Sequence, residues 1–109
     1  MIIHDTAIDV NKRDLGGSTP LAIATEMNYN HIVRIILSNS RTDVNLADGF
    51  GNTPLHKAVR RGNVGLVRML MENDKVDRAP INRGGMSPLM LAWRSGRQAV
   101  IDLMEGYMS

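Results

Sequence analysis

The feature of this sequence that most constrains its fold is an internal repeat with a period of 34 residues. The tripeptide Thr-Pro-Leu at 19–21 recurs at 53–55 and, with serine in place of threonine, at 87–89. Three of the four prolines therefore lie at one fixed interval. Self-similarity at such a period predicts one supersecondary unit that is stacked on copies of itself.

Each unit is predicted to consist of a turn followed by two short helices. In the middle unit Thr53 is a suitable helix N-cap and Pro54 a suitable first helical residue, because the amide hydrogen that proline lacks would have no partner there. Gly62 can adopt the left-handed conformation that ends this helix, and Gly96 and Asn28 occupy the equivalent positions. The second helix of each unit is apolar on more than one side, so its burial requires stacked neighbours.

The composition limits what the chain can do. Its 109 residues are 43% hydrophobic and 22% charged, which is ordinary for one globular domain. There is no cysteine, which excludes disulfides and thiol nucleophiles. No apolar run is long enough to cross a membrane, and the first residues lack the layout of a signal peptide. We expect a protein that is monomeric on its own and intracellular, either cytoplasmic or nuclear, or delivered into a host cell as part of an effector.

The middle unit contains the most informative stretch of sequence. Residues 48–58 read Asp-Gly-Phe-Gly-Asn-Thr-Pro-Leu-His-Lys-Ala and are followed by Gly62 and by a helix through Leu66 and Val67. This arrangement resembles the ankyrin repeat, with turn, cap, core and terminator positions in register three times. The resemblance implies an all-α fold, an ankyrin repeat solenoid of stacked helix-turn-helix units joined by β-turn and hairpin loops. It divides a single domain, 1–109, into a partial preceding element (1–13), two repeats (14–47 and 48–81) and a C-terminal capping repeat (82–109).

Some positions depart from the family pattern. The histidine that usually follows Thr-Pro-Leu is present only as His56, so the other two units are not expected to make its hydrogen bonds to a neighbouring turn. The segment 77–80, Asp-Arg-Ala-Pro, replaces an Asp-Val-Asn pattern, which predicts an irregular last turn between repeats. Asn45 lies in a pattern that resembles the acceptor for asparaginyl hydroxylation, although a turn asparagine also satisfies nearby backbone groups.

The two ends of the sequence lead to different expectations. By the 34-residue shift, Ile2 and Ile3 match the end of a second helix. Either the chain begins inside a repeat of a longer array, or these two residues cover one end of the stack. Asp102 and Glu105 make the last helix more polar, as a capping repeat requires.

No group of residues in the sequence indicates a catalytic or metal site. His4, His31 and His56 share no spacing suited to a metal ion. The segment 16–19, Gly-Gly-Ser-Thr, precedes a helix but lacks the lysine and the strand of a phosphate-binding loop. We therefore expect a protein that is not an enzyme and that has no cofactor and no metal.

The resemblance also predicts where a partner binds. In ankyrin proteins the concave surface, called the groove below, consists of the turn tips and the exposed end of each first helix. Arginine and aromatic residues are enriched at protein interfaces, which makes Phe50, Arg60, Arg61 and Arg94 the strongest candidates. The alternative for Arg60 is an exposed ion pair with Glu26, one repeat away, worth about 0 to 1 kcal/mol. The predicted partner-binding residues are Arg13, Leu15, Met27, Phe50, Asn52, Arg60, Arg61, Arg83, Met86 and Arg94.

Three functions follow from these observations. The first is a protein-interaction module whose groove binds an acidic segment or surface of another protein. The second is a nucleic-acid binder that uses the same arginines for phosphates, although the net charge of +2 and the few aromatic residues argue against it. The third is a regulatory or targeting segment of a larger enzyme or effector.

Overall fold

Six α-helices form the fold in the computed structural model, which describes residues 9–108. The helices are α1 (Pro20–Glu26), α2 (Asn30–Leu37), α3 (Pro54–Arg61), α4 (Val64–Glu72), α5 (Pro88–Ser95) and α6 (Gln98–Met108). No strand occurs between residues 9 and 108, so the predicted all-α class is confirmed. The predictions for Ile2, Ile3 and His4 lie outside the described residues.

The first helix of each pair begins at the predicted cap. The side-chain oxygens of Thr19, Thr53 and Ser87 each accept a hydrogen bond from the backbone N–H three residues later. Proline is the first helical residue in all three cases, where its fixed φ angle suits the helix. The repeated Thr/Ser-Pro-Leu tripeptide therefore fixes where α1, α3 and α5 start.

The reversal after each of these helices also follows the prediction. Gly62 and Gly96 have φ angles of 69° and 71°. Asn28 has a φ angle of 62° and is the one non-glycine residue with positive φ in the described part of the chain. Asparagine tolerates this conformation better than other residues that have a side chain. Although α1 ends earlier, at Glu26, the reversal keeps the same backbone hydrogen bonds as the one after α3.

A single apolar core runs through the stack. Leu55, Val59, Leu66, Leu70 and Met71 of the second repeat are at most 1% exposed. The inner helices α1, α3 and α5 pack side by side, and so do the outer helices α2, α4 and α6. Each such buried side chain contributes about 1.5 to 3 kcal/mol. Because these residues are covered by the repeats on both sides, the second repeat depends on its neighbours for stability.

A hairpin turn precedes each inner helix, and we call these turns the fingers (14–18, 48–52 and 82–86). The first residue of each finger, Asp14, Asp48 or Asn82, accepts backbone N–H bonds from the residues two and four positions later. Neighbouring fingers are joined through the backbone, since the Arg83 N–H donates to the Phe50 carbonyl at 3.1 Å. A matching bond of 3.0 Å joins the first two fingers. The finger tips therefore form one continuous edge.

The turn between the last two repeats is regular, and the prediction of an irregular one is wrong. The Asp77 N–H donates to Asn45 Oδ1 at 2.7 Å, as the equivalent residues do one repeat earlier at 2.8 Å. Asn45 Nδ2 also donates to the Lys75 carbonyl, so both polar atoms of this side chain are engaged and its hydroxylation stays a prediction. Arg78 replaces a buried valine and donates to the Met71 carbonyl at the end of α4.

Candidate functional site

The predicted groove runs over the finger tips and the C-terminal ends of α1, α3 and α5. The apolar side chains exposed along this surface include Leu15, Ile23, Met27 and Phe50. Phe50 is 74% exposed at the tip of the second finger, because its neighbour Gly51 turns the chain back there with a φ angle of 79°. Exposed apolar groups that share one surface are typical of interaction sites.

Arg60 forms an ion pair with Glu26 of the neighbouring repeat, which is the alternative to partner binding that the sequence left open. Its Nη2 lies 2.6 Å from Glu26 Oε1 of the first repeat. Both side chains are partly exposed, and an ion pair of this kind stabilises the fold by about 0 to 1 kcal/mol. The charge of Arg60 is thus shared with a carboxylate of the same chain.

A second cation, Lys57, lies deeper in the groove and was not predicted from the sequence. Its Nζ lies 2.8 Å from Asp48 Oδ2 and 3.4 Å from Glu26 Oε1. The side chains of Lys57 and Asp48 are only 7% and 6% exposed. The equivalent residues of the other two repeats are Ile23 and Leu91. A lysine at a position that is otherwise apolar could have indicated this buried cation from the sequence.

The carboxyl of Asp48 is held in its charged form. Burial alone would raise its pKa, but the hydrogen bond from Lys57 and those from the backbone N–H groups of Asn52 and Phe50 lower it further than burial raises it. Asp48 therefore connects the second finger to α3 through a buried ion pair. Removal of one partner from such a pair costs about 3 to 5 kcal/mol.

Four predicted arginines remain without a charged partner. Arg13, Arg61, Arg83 and Arg94 are exposed, and none of them forms an ion pair with another described residue. Arg61 and Arg94 lie at the ends of α3 and α5, and Arg83 lies in the third finger. Free guanidinium groups of this kind bind carboxylates and phosphates in a bidentate manner.

Two of the predicted residues contribute to contacts between fingers. Asn52 Oδ1 accepts a hydrogen bond from Asn82 Nδ2 at 2.8 Å. The Met86 carbonyl accepts one from His56 Nε2, also at 2.8 Å. Asn52 and Met86 are both only partly exposed, and these bonds hold the second and third fingers at a fixed spacing.

His56 is neutral in this arrangement. Its Nδ1 accepts the Thr53 backbone N–H at 3.1 Å, so the proton must be on Nε2, which donates to the Met86 carbonyl. Burial lowers the pKa of His56, although the Met86 carbonyl and Asp48 partly oppose this shift. The histidine thus holds the third finger through the neutral tautomer, as the family resemblance implies. The first repeat has Ala22 at this position, and its junction lacks an equivalent bond in the described structure.

Two exposed residues at the far side of α5 were also not predicted. Met90 and Trp93 are 41% and 52% exposed, whereas the equivalent His56 and Val59 are buried against the next repeat. The Trp93 Nε1–H donates to Glu105 Oε2 at 3.2 Å. This bond ties α5 to α6 at the end of the described stack.

The described residues hold no group of three or more His, Asp or Glu side chains with the geometry of a metal site. His31 lies on the exposed face of α2. Among residues 9–108, no helix is both long enough and apolar enough to cross a membrane.

Comparison with known families agrees with this architecture. A family model for ankyrin repeats (three copies) matches residues 36–107, and a model for the single ankyrin repeat matches residues 16–49. The first match alone spans about two thirds of the chain. No curated protein matches this sequence. The chain belongs to the ankyrin repeat family, whose repeats are generally protein–protein interaction modules.

Proposed function

We propose that this chain is a non-catalytic interaction module that binds an acidic segment or surface of a partner protein through the groove. The observation that supports this proposal is the set of unpaired arginines beside exposed apolar residues. Arg61 and Arg94 are exposed without a charged partner in the described structure, and Phe50 is exposed on the same surface.

Both the arginines and Phe50 gain favourable interactions when a partner covers them. A guanidinium group forms two parallel hydrogen bonds with a carboxylate, and such charge-assisted bonds are stronger than neutral ones. An exposed aromatic ring gains from burial and has few torsions to immobilise. Arginine and aromatic residues therefore contribute most of the affinity at many interfaces.

The proposal also includes the setting in which the module acts. Ankyrin repeats are generally found in intracellular proteins, so we place the interaction inside a cell. We expect the isolated chain to be a monomer, which light scattering after size-exclusion chromatography measures directly.

The experiment is affinity capture from the native source with the immobilised chain. Arg61→Glu and Arg94→Glu are the test variants, and Arg34→Glu is the matched control because Arg34 is exposed on the outer helix α2. Arg60 is avoided, since a glutamate there would face Glu26 and disturb the stack.

The proposal predicts that the wild type and Arg34→Glu capture the same proteins, and that each test variant loses them while keeping its circular dichroism spectrum. Equal capture by all four proteins would place the binding surface elsewhere. Capture that disappears after nuclease treatment would indicate the nucleic-acid alternative, for which affinity falls steeply with salt.

A further inference from the structure

The groove changes in character along the stack. Residues at equivalent positions are 34 apart and form columns along the groove, of which two change character in the same direction. The finger column runs from Leu15 in the first repeat to Arg83 in the third. The helix-end column contains Glu26, Arg60 and Arg94. Both columns therefore begin with an apolar or acidic residue and end with an arginine.

The first-repeat end of the groove has exposed apolar side chains and no excess of positive charge. Leu15, Met27 and Ile23 are all exposed there. Ile23 and Pro20 also line a depression of about 390 Å³, and the charged residues of its lining are two acidic and two basic ones, Asp9, Asp14, Lys12 and Arg13. The carboxylate at this end, Glu26, already accepts from Arg60 and Lys57, and it would repel a carboxylate of a partner.

The third-repeat end is basic. Arg83 and Arg94 are exposed and have no charged partner among residues 9–108. Phe50 stands directly beside this basic end, because its carbonyl accepts the Arg83 N–H. An apolar group and a free cation are thus next to each other where the second and third fingers meet.

One column runs in the opposite direction. Arg13 occupies the position before the first finger, and its counterpart before the third finger is Ile81, which is exposed. Arg13 lines the same depression as Lys12, Asp9 and Asp14, so the two cations and the two carboxylates there sum to zero net charge. Charge reversal at Arg13 therefore tests the first-repeat end of the groove, as charge reversal at Arg83 and Arg94 tests the third-repeat end.

From this asymmetry we infer that the partner is a segment with two separate blocks. Its apolar residues lie against the first repeat and Phe50, and its acidic residues lie against Arg61, Arg83 and Arg94. Adjacent helices are about 8 to 10 Å apart, so about six to eight extended residues span the three repeats. This inference rests on the proposed function and adds the order of the two blocks along the groove.

Like-charge repulsion is what makes the order specific. An acidic block placed over the first repeat would approach Glu26 and leave Arg94 without a partner. An unfavourable contact of this kind discriminates between binding registers as effectively as a favourable one. The Glu26 carboxylate therefore disfavours the reversed arrangement.

The test begins with random peptides displayed on phage and panned against the immobilised wild-type chain. The inference predicts that enriched peptides contain an acidic block and an apolar block that do not overlap. Enriched peptides with interspersed acidic and apolar positions would overturn the inference and leave the proposed function standing. Peptides without an excess of acidic residues, or no enrichment at all, would overturn both.

Fluorescence anisotropy with one enriched peptide then locates the acidic block. Arg83→Glu and Arg94→Glu are each expected to weaken binding about tenfold or more, as for central interface residues. Arg13→Glu, which introduces the same charge change at the other end, is expected to weaken it less than about twofold. Equal losses in the three variants would show a uniform basic surface and contradict the inference. Circular dichroism of each variant controls for folding.

Discussion

The junction between the first two repeats uses its polar groups differently from the junction between the last two. In the first, Arg60 is paired with Glu26 at 2.6 Å across the groove. In the second, the neutral imidazole of His56 reaches the Met86 carbonyl, and Arg94, the counterpart of Arg60, has no charged partner in the described structure. The same repeat position therefore stabilises the contact between repeats when it is Arg60, and it is available to a partner protein when it is Arg94.

Equivalent positions in two repeats therefore place a side chain at the same point of the groove without giving it the same function. Arg60 and Arg94 are related by the 34-residue shift and both lie near the end of an inner helix. The two arginines differ in the equivalent residue of the preceding repeat. That residue is Glu26 for Arg60, whereas it is Arg60 for Arg94. A glutamate in the first repeat thus determines which arginine remains free.

The largest expected effect comes from the bond that distinguishes the second junction. His56→Ala removes a buried side chain and leaves the Thr53 N–H and the Met86 carbonyl without their partner. We expect a loss of about 2 to 4 kcal/mol in the free energy of unfolding, measured with urea. Met90→Ala, at the equivalent but exposed position, is the control and should cost less than about 1 kcal/mol. Equal losses would show that the imidazole bond does not hold the junction.

The finger contacts allow a second comparison between equivalent positions. Gly51 and Gly85 have the same φ angle of 79°. A Cβ at Gly51 would lie 2.9 Å from the Arg83 nitrogen, whereas a Cβ at Gly85 meets nothing within 4 Å in the described structure.

Alanine at either glycine should therefore cost about 1 to 2 kcal/mol of backbone strain. Gly51→Ala should cost about 1 kcal/mol more than Gly85→Ala, because the neighbouring finger must also move. Thermal unfolding followed by circular dichroism measures both, and a smaller loss for Gly51→Ala would mean that the fingers are not in close contact.

The neutral histidine makes the second junction sensitive to acid. Because the pKa of His56 is lowered by burial, the unfolded chain, with a pKa of about 6.5, binds the proton first. Stability should then fall as the pH decreases from about 6.5 towards the lower pKa of the folded state. Urea unfolding at several pH values measures this slope.

His56→Gln should flatten that slope, while His31→Gln, at an exposed residue of α2, should keep it. The carboxyl of Asp48, whose pKa is also lowered, contributes stability that is lost only in more acidic solution, below about pH 3.9. An unchanged slope in His56→Gln would assign the acid sensitivity to other groups.

The smallest expected effect on stability concerns the first junction. Glu26→Gln removes the carboxylate that Arg60 and Lys57 share, and for a partly exposed pair we expect a loss of about 0 to 1 kcal/mol in unfolding free energy. Arg60 becomes free, so the affinity for an acidic peptide should rise by about twofold to fivefold. A fall in affinity would instead show that Glu26 holds Arg60 in the binding geometry.

Most of the fold could be predicted from the sequence, because it depends on short local patterns. Thr53 with Pro54 starts a helix, and Gly62 ends it, through backbone chemistry that does not require the rest of the molecule. The same logic identified Asn28, whose φ angle is 62°. The prediction for the turn at Asp77 was wrong, because the Asp77 carboxylate accepts the backbone N–H of Ala79 and this turn hydrogen bond does not depend on the altered side chains that follow the aspartate.

The candidate site could be predicted only in part, because ion pairing depends on distances across repeats. The 34-residue shift placed Glu26 and Arg60 at equivalent positions of neighbouring repeats. The sequence alone did not decide whether the two side chains form an ion pair. Lys57 was missed because the helix pattern assigns its position to the core. Trp93 was missed because its position is buried in the other repeats.

The most direct test compares the two equivalent arginines in one experiment. Arg60→Gln and Arg94→Gln are each assayed for the free energy of unfolding and for the affinity towards an acidic peptide selected by display. We expect opposite responses from the two variants. Arg60→Gln loses up to about 1 kcal/mol of stability with affinity nearly unchanged, whereas Arg94→Gln keeps its stability and loses about tenfold in affinity. Equal losses of affinity in the two variants, or a loss of stability in Arg94→Gln, would show that the two arginines do not have separate roles.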